Sequence, residues 1–129
     1  MKKLHTTTAA IEAGAGVALL CCPSFAAKLL FSSPLDSSTA VMLGRLAGAA
    51  LLALGVACWL ARGDTQSRAA RGLVAAMVLY NFAATALLAF AGIGLGLVGI
   101  LLWPAVGLHA VMTVWCVRVL IGCGKNVLH

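Results

Sequence analysis

Charge is what this chain has least of. Lys, Arg, Asp and Glu together make up 9% of its 129 residues, against about 25% in an ordinary soluble domain. Acidic groups are scarcer still, with three in all, at Glu12, Asp36 and Asp64. So few, so far apart, exclude paired-carboxylate catalysis, and the sequence also lacks a Ser-His-acid set and a Cys-x-x-Cys motif. No enzyme activity and no cofactor are expected. Cysteine is present but odd in number, five residues, in or at the ends of apolar segments rather than in polar loops. That pattern gives no disulfide framework and reads first as small apolar packing.

What the chain has in abundance is apolar surface. It is 63% hydrophobic with a mean hydropathy of +1.08, more than a soluble fold of this size can hide, so its solvent must be mostly lipid. A helix needs roughly 20 residues to cross about 30 Å of hydrocarbon. Four such spans fit, at about residues 8–31, 41–61, 73–93 and 97–121, in a single membrane domain. The fold class expected is an all-α membrane protein, an antiparallel bundle of four transmembrane helices. The net charge of +6 does not indicate nucleic acid, because the basic residues flank the apolar runs instead of sharing one patch. Lys2, Lys3, Arg62, Arg68, Arg71, Arg118 and Lys125 fall on one side. Lys28, Arg45 and Asp36 fall on the other, so both termini are expected in the cytoplasm. The start of the chain has features of a secretory signal, with a basic pair, an apolar stretch and small residues near Ala27. Glu12 interrupts the apolar part, and the segment is read as a retained first span.

Small residues recur every four positions in two spans. Ala10, Gly14, Ala18 and Cys22 line one face of span 1, and Ala40, Gly44 and Gly48 one face of span 2, which allows close helix approach. Helix packing through Gly14, Ala18, Gly44 and Gly48 is therefore expected, within the chain or toward a homo-oligomer or larger membrane complex. Pro23 and Pro104 are read as kinks in spans 1 and 4. Ser37 and its neighbours are suitable caps for span 2. The turn at residues 91–99 carries four glycines and no charge, so it must sit in the interface or under other protein. Its spacing does not fit a dinucleotide fingerprint.

Two polar side chains lie at similar depth in the last two spans, Asn81 and His109. An ionisable intramembrane residue is a functional candidate by default. His109, Met112 and Cys116 share a helix face, and imidazole, thioether and thiolate suit soft ions such as Cu(I) or Zn(II). A metal site would draw on Cys21, Cys22, His109 and Cys116. The plainer reading is that His109 hydrogen-bonds Asn81, Tyr80 or a freed backbone carbonyl while the sulfur groups fill space. Glu12 stands at the depth of Arg118, which allows an ion pair between spans 1 and 4.

The stretch VALLCCPSF at 17–25 resembles the first helix of the small bacterial mercuric-ion transport proteins, which carry a Cys-Cys pair followed by proline in a hydrophobic span. The resemblance implies soft-metal transport and carries over to Cys21 and Cys22 alone, since the second cysteine pair of that family is absent. As a whole, with the segment WPAVGLH at 103–109, the chain resembles the small four-helix inner-membrane proteins of bacteria that have no assigned activity. The function expected is a structural or accessory role in the bacterial inner membrane, with lipid as the surrounding partner and small-molecule or soft-metal transport as the alternative.

Overall fold

A computed structural model describes residues 1–64 and 67–125, with side chains described as far as residue 122. Among the described residues the fold is helical throughout: α1 (Lys2–Cys21), α2 (Pro23–Phe31), α3 (Ser38–Ala61), α4 (Arg68–Gly94) and α5 (Leu102–Lys125). Four helices are long and apolar enough to cross a membrane: α1, α3, α4 and the Leu102–Gly122 stretch of α5. Large apolar side chains such as Leu79, Leu87 and Ile93 stand outward and exposed. That surface requires an apolar solvent, as the composition demanded.

The first span begins at Lys2, six residues earlier than expected, and it is interrupted, where only a kink was expected. Cys22 has φ −135° and ψ 62°, off the helix, and Pro23 opens α2 in the first helical position. The missing N–H of proline costs nothing there, because first-turn donors have no intrahelical acceptor. Pro104 behaves the same way. It lies in the first turn of α5, which starts at Leu102, so it begins a helix and kinks nothing. The last span accordingly starts five residues later than the expected 97. Ser37 and Ser67 cap α3 and α4, accepting from the backbone N–H of Ala40 at 3.1 Å and Ala70 at 3.0 Å.

The chain forms two helical hairpins. In the first, α3 runs antiparallel to α1 with the backbones almost touching. A Cβ on Gly16 would lie 2.6 Å from the Leu52 nitrogen, and one on Gly48 would lie 2.7 Å from the Leu20 nitrogen. Gly55 meets Ala13 and Ala9 further down the same seam. Gly48 is thus in the packing face, and Gly44 lies beside Pro23 and Leu35. Gly14 and Ala18 are not in the seam. Both are exposed, and nothing described lies within 4 Å of a Cβ built on Gly14. The small-every-four reading of span 1 was displaced onto a neighbouring face, because Ala10, Gly14 and Ala18 repeat as regularly as the Ala9, Ala13 and Gly16 that make the contact.

In the second hairpin α4 and α5 pack antiparallel. The two hairpins meet at the end holding the N-terminus, the end of α3 and the start of α4, where Leu4, Cys58, Val74, Met77, Met112 and Cys116 form a buried cluster drawn from all four long helices. At the opposite end the 95–101 connection closes the bundle. Gly96, at φ +66°, turns the chain so that the Leu97 N–H reaches the Ala91 carbonyl at 3.0 Å. Gly99 and Leu101 then donate to the carbonyls of Leu30 and Leu29, both at 2.9 Å, and Ser32 Oγ donates to the Val98 carbonyl. The glycine-rich turn is thereby pinned at Gly99 and Leu101 to the end of α2, whose carbonyls would otherwise go unused, while Leu95, Leu97, Val98 and Ile100 stay exposed. Gly99 is required, since a Cβ there would overlap the Leu29 carbonyl.

A residue with a Cβ at 16 or 48 must push backbone away from backbone. Gly16→Val and Gly48→Val are each expected to destabilise the protein by about 3 kcal/mol, read as a lowered unfolding temperature in mild detergent, whereas Gly14→Val leaves it unchanged. Equal tolerance at all three positions would contradict the seam described here.

Candidate functional site

The interior of the upper bundle is not filled. Between the hairpins lies a cavity of about 890 Å³, within the range of small-molecule pockets. Its walls are α1 and α2 on one side and α4 and α5 on the other, and they are apolar along most of their length, with Ala84, Leu88, Leu101 and Ala105 among the lining residues. Three polar groups, Glu12, Tyr80 and His109, gather at its lower end. Cys21 and Cys22 line it nearer the top, nine and ten residues beyond Glu12, or about 14 Å along a helix.

The lower end is organised by Asn81, which is buried at 1% exposure. Its Nδ2 donates to the Met77 carbonyl of its own helix at 2.8 Å, and this fixes which way the amide points. Oδ1 then faces His109 Nδ1 at 2.8 Å. An amide oxygen only accepts, so Nδ1 must carry the proton. On the neutral ring that leaves Nε2 with a free lone pair. Tyr80 meets the imidazole edge to face, centroids 5.7 Å apart, and Thr113 Oγ1 and Thr85 Oγ1 return to the carbonyls of His109 and Asn81, each at 2.8 Å. His109 and Asn81 do share a depth and meet across the helix pair. The imidazole is held by neutral hydrogen bonds.

Helix α1 carries a buried polar face that sequence reasoning did not assemble, and Glu12 alone of it lines the cavity. His5, Thr8 and Glu12 are buried at 1–2% exposure on one side of α1, at spacings of three and four. Among the described residues, the buried atoms without a hydrogen-bond partner are His5 Nδ1 and Nε2, Thr8 Oγ1 and Glu12 Oε2. Glu12 does not pair with Arg118, which is exposed; its carboxyl group lies against the Tyr80 hydroxyl. The signal was present in the i, i+3, i+7 spacing of 5, 8 and 12. It was hidden because Thr6, Thr7 and the two lysines made this end look like a polar flank outside the bilayer.

The proposed metal ligands are not brought together. Among the described residues no three His, Cys, Asp or Glu side chains form a group able to hold an ion. Cys21 and Cys22 are exposed, whereas Cys116 is buried with Cys58 in the cluster at the lower end. Met112 belongs to that cluster too, so the shared face of His109, Met112 and Cys116 is used for packing. The side chain of Cys123 lies outside the described residues. Comparison with known proteins supplies no relative: no family model matches the chain, and neither a curated protein nor a solved structure matches it.

The Asn81–His109 contact is testable by a double-mutant cycle on unfolding in detergent, with Asn81→Ala, His109→Ala and the pair. A coupling of about 0.6–1.7 kcal/mol is expected for an interhelical hydrogen bond in a membrane protein. Additive single-mutant effects would show that the two side chains do not interact.

Proposed function

We propose that this protein is an accessory protein of the bacterial inner membrane that holds a lipid-soluble amphiphile between its two hairpins. The observation that carries the reading is the distribution of polarity around the cavity: apolar walls for most of its length, and Glu12, Tyr80 and His109 at one end. A molecule with a chain and one polar head matches that distribution. A hydrophilic solute would leave the upper walls wetted, and a metal ion would find no cluster of ligands among the described residues. The cavity is formed by helices that present apolar surface outward as well, so the occupant can enter from the surrounding lipid without crossing water.

The orientation fits the same reading. Lys2, Lys3, Arg62, Arg68 and Arg71 lie at the end where the hairpins pack, and Lys28 and Arg45 at the end of the glycine-rich connection, an asymmetry that supports reading both termini as cytoplasmic. Association with a second copy or a larger complex is a companion role. Gly14 and Gly107 face outward with nothing within 4 Å, and recesses of that kind accept another helix.

Binding within the bilayer is tested with delipidated protein and 4-dodecylphenol, followed by the shift in unfolding temperature. Saturation at a hundred times the dissociation constant stabilises the folded state by about 2.7 kcal/mol. The wild type is expected to show a saturable shift, and Ala84→Trp, which fills the cavity, is expected to lose it while still folding. A shift of the same size in Ala84→Trp would place the binding elsewhere.

A further inference from the structure

The lower end of the cavity is more specific than a polar patch, and the specificity comes from a chain of hydrogen bonds that runs one way. Asn81 Nδ2 is committed to the Met77 carbonyl. Its Oδ1 is therefore the atom that faces His109 Nδ1, and the imidazole proton is held on Nδ1. The ring lines the cavity with Nε2 as an acceptor, and no described group donates to it. Across the cavity floor, Glu12 is 2% exposed and its Oε2 is a second oxygen without a partner. Both rest on the wall of the same space, beside the Tyr80 hydroxyl, which lies against the Glu12 carboxyl group.

We infer that this end of the cavity recognises a head that donates a hydrogen bond, so that the ligand is an uncharged amphiphile carrying a hydroxyl group, a long-chain phenol or alcohol, with His109 Nε2 as its acceptor and Asn81 as the positioning residue that keeps Nε2 free. This rests on the cavity-binding reading above and adds the chemistry of the head. A head that only accepts, such as an ether or ketone, meets Nε2 lone pair to lone pair. Burial makes that mismatch costly, because the abandoned acceptor finds no water in its place. An anionic head would stand beside Glu12 and near the orphaned acceptor, which disfavours it for the same reason. The long apolar walls take the chain, and Cys21 and Cys22 lie toward its far end without a part in recognition.

The test compares 4-dodecylphenol with its methyl ether, 4-dodecylanisole, two probes of the same skeleton that differ in one donor. Dissociation constants are measured on full-length protein in mild detergent. The wild type is expected to prefer the phenol by about tenfold, the usual worth of one buried hydrogen bond. His109→Phe keeps an aromatic ring and removes the acceptor, so the phenol weakens and the preference disappears. Asn81→Leu lets the proton move to Nε2; the phenol weakens, the ether strengthens, and the ratio falls toward one. A purely structural role for Asn81 would weaken both probes alike, and that result would overturn the positioning assignment. Equal affinity of the wild type for both probes, each lost in Ala84→Trp, would overturn donor recognition while leaving the cavity as a binding site. Absence of binding by either probe would overturn both readings.

Discussion

Everything in this protein follows from how closely α1 approaches α3. With glycine at 16, 48 and 55 the two backbones come into contact, and a Cβ at Gly16 or Gly48 would stand under 3 Å from a backbone nitrogen of the other helix. In lipid there is no hydrophobic force to pull helices together, so van der Waals contact of this kind is what holds the hairpin. The seam also fixes the rotation of α1 about its axis. Once Ala9, Ala13 and Gly16 face α3, His5, Thr8 and Glu12 are buried beside that seam, and Glu12 lies against Tyr80 of α4. The least lipid-compatible residues of the first span are thereby taken out of the bilayer.

The second hairpin answers with Asn81 and His109, and the outcome is a bundle that is dense at one end and open at the other. Sulfur and aliphatic side chains from four helices fill the lower layer. Above it the helices carry mostly alanine and leucine toward each other, and the connection at 95–101 spans the gap by hydrogen-bonding to the end of α2. Those backbone bonds tie the hairpins at the top without filling the space between them. A cavity bounded by polar groups at one end only is the consequence.

How much of this was legible in the sequence depends on the kind of signal. The apolar runs fixed the class and the four spans, and boundaries were displaced where a polar residue stood inside a helix, as at Lys2 to Thr8, or where glycine replaced a helical turn, as at 95–101. Proline was misread twice for one reason: Pro23 and Pro104 each sit in the first turn of a helix, where the missing donor is harmless, and sequence alone placed them inside longer spans. The meeting of Asn81 with His109 was legible, because equal depth in adjacent antiparallel helices brings residues together. The seam of α1 was not, since two small-residue registers, 9-13-16 and 10-14-18, compete and only the partner helix chooses. The cysteine pair was conspicuous in sequence, yet it is exposed while Cys116 is buried, and among the described residues no cluster of ligands forms.

We propose that the space between the hairpins is a binding site whose ligand meets His109 Nε2 and the unpartnered Glu12 Oε2. The most direct measurement is a structure of the protein in lipid nanodiscs prepared from its native membrane. It is predicted to show elongated density between α1–α2 and α4–α5, with its polar end within hydrogen-bonding distance of His109 Nε2 and Glu12 Oε2. Hairpins closed on each other, with both of those atoms satisfied by protein side chains, would contradict it.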